Sequence, residues 1–330
     1  MATTAITGKK SDFFMVRTYI RLAIMARKLH TRGGFMTAFS RRHRNAEEAH
    51  YRRLLDKAPA IVWKNFSDGV SLRVRMFAPP EHNAEESAPA VMFFFGGMWA
   101  LESSAEFVAW AIHLTRRGIV CFIPEYRTNA RFDVSPEDIV QDGLDAWKWL
   151  HHNARNLGLD AERITLAGTD AGGLMALNCG MQPMVFKKRW WQFKREDELP
   201  VQPACVAILR GVIDPEAPES RALQISRNNN VNVAAINPCA LLRRKLPLLF
   251  CAHGMQDPLL DYEMRQWFCD EWERFGNTAE LVLCPFGDHT LPQFAVNPAV
   301  FEQVLLSWDA FMVEQGLWPE SDHTQDAMMV

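Results

Sequence analysis

The residues best suited to chemistry in this 330-residue chain fall in three places. The first is Gly168-Thr169-Asp170-Ala171-Gly172-Gly173, directly after the apolar run Ile164 to Ala167 and at the start of a segment with helical spacing. A sharp strand-to-helix turn needs small residues on both sides of its apex, and it lifts the apex side chain above the sheet edge. The N–H groups and dipole of the helix that follows favour negative charge there. Asp170 occupies the apex, with Thr169 beside it. The second place is Phe95-Gly96-Gly97-Met98-Trp99, at the end of another apolar run. Adjacent glycines let backbone N–H groups approach a ligand oxygen closely, as an oxyanion hole requires. Phe95, Met98, Trp99 and Thr169 are the candidates to line the pocket between these two segments. The third is a late pair, Asp257 in Gly254-Met255-Gln256-Asp257 and His289 in Gly287-Asp288-His289. A carboxylate behind a histidine fixes the ring so that it can move a proton. Taken singly, a loop aspartate caps a turn and a lone histidine is structural; taken together behind an elbow, they read as one site.

These residues need a scaffold that brings several strand ends to one edge. Ile61 to Phe66 and Ser71 to Phe77 read as a hairpin around Ser67-Asp68-Gly69. Ala90 to Phe95, Ile119 to Pro124, Ile164 to Gly168, Cys205 to Ile213, Leu246 to Ala252 and Ala279 to Pro285 read as further strands. Helices are expected over Ser104 to Arg117, Ser135 to Asn156, Ala171 to Met181, Asp261 to Phe275 and Ala299 to Gln315. Apolar strands alternating with amphipathic helices give a mostly parallel sheet of eight strands covered by helices on both faces, an α/β architecture.

Around this core, residues 1–58 form a basic arm, expected to be a helical cap; between Lys9 and Lys57 the only acidic residues are Asp12, Glu47, Glu48 and Asp56. The core runs over 59–316, with lid insertions near 184–204 and 215–240. A disordered tail is expected over 317–330. The basic arm reads as packed helices with a solvated face, with a peripheral membrane or anionic-partner contact through residues 9–57 as the alternative. The aromatic and basic residues around Trp190 and Trp191 suit either a homodimer surface or lid packing.

A net charge of -3 gives no case for nucleic acid. The seven cysteines are spaced singly, with no C-x-x-C pair, and read as buried reduced thiols. No metal is expected, and no cofactor: Gly168 to Gly173 lacks G-x-G-x-x-G and no G-K-[ST] occurs. No apolar stretch reaches the roughly 20 residues of a membrane span, and no secretory-signal pattern is read at the start. The expectation is a cytoplasmic protein acting on a small-molecule substrate or ligand.

The motifs together resemble the hormone-sensitive-lipase-like branch of the α/β hydrolases, which includes acetyl esterases, from about residue 60 to 315. Phe95-Gly96-Gly97-Met98-Trp99 stands for a family H-G-G-x-W, Glu125-Tyr126-Arg127 for a tyrosine–arginine strand end, and Gly168 to Gly173 for G-x-S-A-G-G. Asp257 and His289 follow in the family order of nucleophile, acid, histidine. The resemblance implies the α/β-hydrolase fold, hydrolysis of a small ester or amide, and an oxyanion hole from the N–H groups of Gly96, Gly97 and Ala171. Two departures stand out: Phe95 replaces the family histidine, and Asp170 replaces the nucleophilic serine.

An aspartate that attacked an ester would form a mixed anhydride, which reverts easily. Three other uses remain. Asp170 attacks a saturated carbon, as elbow aspartates do in haloalkane dehalogenases and epoxide hydrolases, with His289 as base and Asp257 orienting it. Alternatively, His289 activates water directly for ester or amide hydrolysis, with Asp170 a second carboxylate. In the last, Asp170 and Asp257 flank His289 and hold it as an imidazolium, and the chain is a degenerate member that binds without catalysis.

Overall fold

A computed structural model describes residues 46, 48–97, 104–128, 132, 134–181, 202–217, 233–291, 293 and 296–320. Met98, Trp99, most of the basic arm, most of both lid insertions and residues 321–330 lie outside them. The chain divides into two compact units at Ala49/His50. Residues 50–57, assigned to the arm from sequence, are therefore part of the second unit, where Tyr51, Leu54 and Leu55 pack on the core.

Among the described residues, eight strands form one sheet: β1 (Ala60–Asn65), β2 (Ser71–Phe77), β3 (Ala88–Phe94), β4 (Val120–Pro124), β5 (Leu159–Thr169), β6 (Cys205–Gly211), β7 (Leu248–Gly254) and β8 (Ala279–Cys284). Their order is β1-β2-β4-β3-β5-β6-β7-β8. β2 is antiparallel to both neighbours and every other pairing is parallel, so the sheet is mixed, as the hairpin signal requires. β3, β4 and β6 are buried along their whole length, because helices cover both faces. β1 and β2, near the edge, alternate instead.

Among the described residues, helices α1 (Val108–Arg116), α2 (Pro136–Asn153), α3 (Asp170–Met181), α4 (Tyr262–Arg274) and α5 (Pro298–Glu314) pack on the sheet. Their starts are written locally. Ser135 and Asp138 form a reciprocal capping box ahead of Pro136 at the start of α2, and Asp261 and Asn297 cap α4 and α5. Behind the sheet, Trp308 of α5 packs on Phe250 (5.8 Å between ring centres) and on Trp318 (5.0 Å). Trp318 is buried and Leu317 packs beside it, so these two residues, expected in the tail, belong to the packed core. Six of the seven cysteines are buried and all are free thiols. Among the described residues no helix is long and apolar enough to cross a membrane.

The strand order determines where a site can form. From β3 the chain goes to β4 on one side, and from β4 to β5 on the other. The connections leaving β3 and β5 therefore diverge, and a crevice opens at the carboxyl ends of the strands between them. Gly96, Gly97 and Asp170 are the residues that follow those two strand ends.

Candidate functional site

β5 ends at Thr169 and α3 begins at Asp170 without an intervening loop. Asp170 takes φ 45°, in the left-handed region that aspartate tolerates better than most residues. The flanking glycines make the turn sterically feasible. A Cβ on Gly168 would lie 2.2 Å from the Gly172 carbonyl oxygen, and one on Gly172 would lie 2.1 Å from that of Phe94. The elbow expected from sequence is thus present, with its apex carboxylate 7% exposed.

The two oxygens of that carboxylate differ. Oδ2 accepts a hydrogen bond from the Gly97 N–H (3.4 Å) and from the Arg210 guanidinium (3.1 Å). Oδ1 has no hydrogen-bond donor and faces His289 Nε2 at 3.4 Å. The other ring nitrogen, Nδ1, lies 2.9 and 3.1 Å from the two carboxylate oxygens of Asp257, so Nδ1 carries the proton donated to it. The structure therefore brings Asp170, His289 and Asp257 into one line, with Gly97 against the first.

Burial pushes Asp257 up, but hydrogen bonds from His289 and from the Leu259 and Leu260 N–H groups outweigh it and hold the carboxyl below its ordinary range. Behind Asp257 stands His253, fully buried at the end of β7. Its Nε2 faces two acceptors, the Leu260 carbonyl at 3.0 Å and Asp257 Oδ2 at 3.5 Å, so that nitrogen carries the proton. Burial and, after it, the Arg265 charge push His253 down to about 4, which keeps it neutral at neutral pH.

The glycine pair departs from a simple oxyanion hole. The Gly96 N–H donates to Glu106 Oε1 at 2.9 Å, and the Thr169 hydroxyl donates to the same oxygen at 2.7 Å. Glu106 is itself buried, its side chain 6% exposed, and lies 3.8 Å from Arg210. Burial raises it above the ordinary glutamate range, and the Arg210 charge and the Gly96 and Thr169 hydrogen bonds offset this only in part. Gly96 and Gly97 thus both donate to carboxylates of the chain itself. Ala171 is buried in the first turn of α3, where N–H groups have no intrahelical acceptor.

Two expected pocket residues lie elsewhere. The Phe95 ring is 2% exposed and stacks on Tyr126 (4.2 Å between centres), whose hydroxyl donates to the Phe95 carbonyl. Phe95 is a buried support for the glycine loop, and Thr169, fully buried, serves the Glu106 carboxylate. Met98 and Trp99 are outside the described residues.

Sequence reading missed Glu106, Arg210 and His253. Arg210 left a signal: it is the one charge in the apolar strand Cys205–Gly211, at the carboxyl end where sites form. It takes φ 64°, and its guanidinium also donates to the His289 carbonyl, tying the elbow to the histidine loop. His253 is likewise a lone polar residue near the end of an apolar strand. Glu106 left none beyond its closeness to the glycines.

A family model described as BD-FAE matches residues 76–271. Among curated proteins, the chain is similar to an ethyl acetate hydrolase of Pseudomonas putida, 31% identical over 113 residues, which is 33% of this chain and 34% of that protein. It is also similar to the carboxylesterase NlhH of Mycobacterium tuberculosis, 31% identical over 138 residues, 38% of this chain and 40% of that one. The matched parts thus span less than half the length of these relatives. Among solved structures, esterase 2 of Thermogutta terrifontis superposes in its apo form with a TM-score of 0.70 at 24% identity, over 81% of this chain and 98% of that one. Its butyrate-bound form gives 0.70 at 25% identity, over 80% and 96%.

Proposed function

The chain belongs to the BD-FAE family and has the α/β-hydrolase fold, and from that premise we propose that it is a hydrolase in which Asp170 attacks a saturated carbon. The observation that carries this reading is the division of labour within the Asp170 carboxylate. Oδ2 is held by the Gly97 N–H and Arg210, while Oδ1 is without a donor on the side of His289. Ester hydrolysis by water alone has less support, because the glycine N–H groups it needs are engaged by Glu106 and Asp170.

The reaction has two steps. Oδ1 forms a bond to carbon as the bond to the leaving group breaks, and the leaving group departs with the electron pair. Alkylation removes the charge of Asp170, so His289 then faces one carboxylate, Asp257, instead of two. Water attacks Cγ while His289 Nε2 takes its proton, and an electron pair moves onto Oδ2. Collapse breaks the bond from Cγ to Oδ1 and releases an alcohol, which receives the proton from His289, and the second water proton, left on the regenerated Asp170 acid, passes to solvent. The substrate class is a small alkyl halide, whose halide departs as the anion, or an epoxide, whose ring oxygen stays attached to the alkyl group and takes a proton from water.

The test is turnover of styrene oxide or benzyl bromide in heavy-oxygen water. The expected result is heavy oxygen in Asp170, located by peptide mapping, and an alkyl adduct on Asp170 that accumulates in His289→Ala. Neither label nor adduct in a folded protein would overturn the proposal.

A second reading draws on the same contacts. The Asp170–Arg210 ion pair and the Glu106–Gly96 hydrogen bond describe a site closed by its own charges, in a chain that binds a small molecule or protein without turning it over. It expects no label, no adduct, and binding unaffected by Asp170→Ala.

A further inference from the structure

The family resemblance implies three backbone N–H groups around an oxyanion, those of Gly96, Gly97 and Ala171, and here the first of them is diverted. Gly96 donates to Glu106, which leaves Gly97 alone among the glycine donors on Asp170 Oδ2. Beside Oδ2 stands Arg210, near the end of the adjacent strand β6, at 3.1 Å. Its side chain is 4% exposed, so its charge acts in a medium from which water is largely excluded. It is held from two further directions: by the His289 carbonyl, to which it donates, and by Glu106 Oε2 at 3.8 Å. Arg210 is therefore fixed before any charge develops on Oδ2.

We propose that Arg210 is a catalytic residue that serves as an oxyanion donor, in place of Gly96, for hydrolysis of the alkyl-enzyme ester, with Glu106 as the positioning residue that removes Gly96 from the hole and steadies the guanidinium. This rests on the reading of Asp170 as nucleophile. Its chemistry is specific to the second step. In the free enzyme the guanidinium stabilises the Asp170 carboxylate and so does not speed its attack. When water adds to Cγ, a full negative charge forms on Oδ2 itself, at the atom Arg210 touches. No proton passes to or from Arg210, which remains a cation throughout.

The two steps are separable by rapid-quench mass spectrometry with styrene oxide, following the adduct on Asp170 as it forms and decays. In Arg210→Gln we expect formation to be undiminished and decay to slow by roughly 10²- to 10³-fold, the cost of losing one oxyanion donor. Arg210→Lys, which keeps the charge without the fork, should lie between. Glu106→Gln keeps a hydrogen-bond acceptor for Gly96 and should change decay much less than Arg210→Gln. Decay at the wild-type rate in Arg210→Gln, or equal slowing of both steps, would overturn this assignment while leaving Asp170 as nucleophile. If the wild type forms no adduct, the underlying reading fails first. Thermal unfolding of each variant separates a lost fold from a lost step, and Arg210→Lys provides the test if Arg210→Gln does not fold.

Discussion

Replacing Asp170 by serine, the residue the resemblance implies at the elbow apex, is expected to be destabilising. It removes the carboxylate 3.1 Å from a guanidinium that is 4% exposed. Taking one partner from a buried ion pair costs about 3–5 kcal/mol, because the other charge stays buried and uncompensated. Glu106 remains at 3.8 Å, but burial raises it above the ordinary range, so it compensates only in part. The expected cost lies at the lower end, about 3 kcal/mol. Asp170→Ser/Arg210→Met removes both charges, keeps an apolar stem of similar length, and should return to within about 1 kcal/mol of wild type. The assay is urea unfolding followed by tryptophan fluorescence, with Trp110, Trp147, Trp272 and Trp308 all buried reporters. The two single variants and the double then form a cycle whose coupling reports the pair. Asp170→Ser as stable as wild type, or single costs that add in the double, would refute the reasoning that Arg210 depends on Asp170.

Three further outcomes follow from the same contacts. In an Asp170→Ser background the Gly96 N–H is still held by Glu106, so hydrolysis of p-nitrophenyl acetate should be weak, and adding Glu106→Ala should raise it by roughly 10²-fold; an unchanged rate would show that Gly96 is not a hole donor. His253 is held at about 4 against an ordinary 6.5, so the unfolded chain binds the proton more readily; its contribution is fully present above pH 6.5 and is lost as pH falls toward 4, about 3 kcal/mol in all. His253→Gln should flatten that part of the stability profile in urea titrations, and parallel profiles would contradict it. Gly172→Ala would place a methyl 2.1 Å from the Phe94 carbonyl oxygen, a clash with backbone that should cost about 3 kcal/mol or more, readable as a fall in Tm.

Much of the scaffold was legible because its signals are local. The strands and helices were placed within a few residues, since the apolar runs, the Ser135–Asp138 capping box and the prolines opening α2 and α5 each act within one element. β5 is longer than expected: it starts at Leu159, because Asp160, Glu162 and Arg163 are polar yet lie in strand conformation at the open end of the sheet. The elbow was legible for the same reason, as its glycines answer clashes within a few residues or with the adjacent strand.

The fold, the elbow and the nearness of Asp170, Asp257 and His289 were all legible in the sequence. What surrounds Asp170 was decided only by tertiary structure. Arg210 comes from β6, Glu106 from the segment after β3, and His253 from β7, and no spacing in the chain relates them. They converge because parallel strands deliver their carboxyl ends to one edge, where a buried charge must find its partner in space. The glycines that read as an open oxyanion hole carry the expected backbone, yet their N–H groups are engaged by carboxylates whose approach depends on how the crevice closes. The aspartate at the apex is thus one member of a buried charge network, with its counterion supplied from the adjacent strand β6.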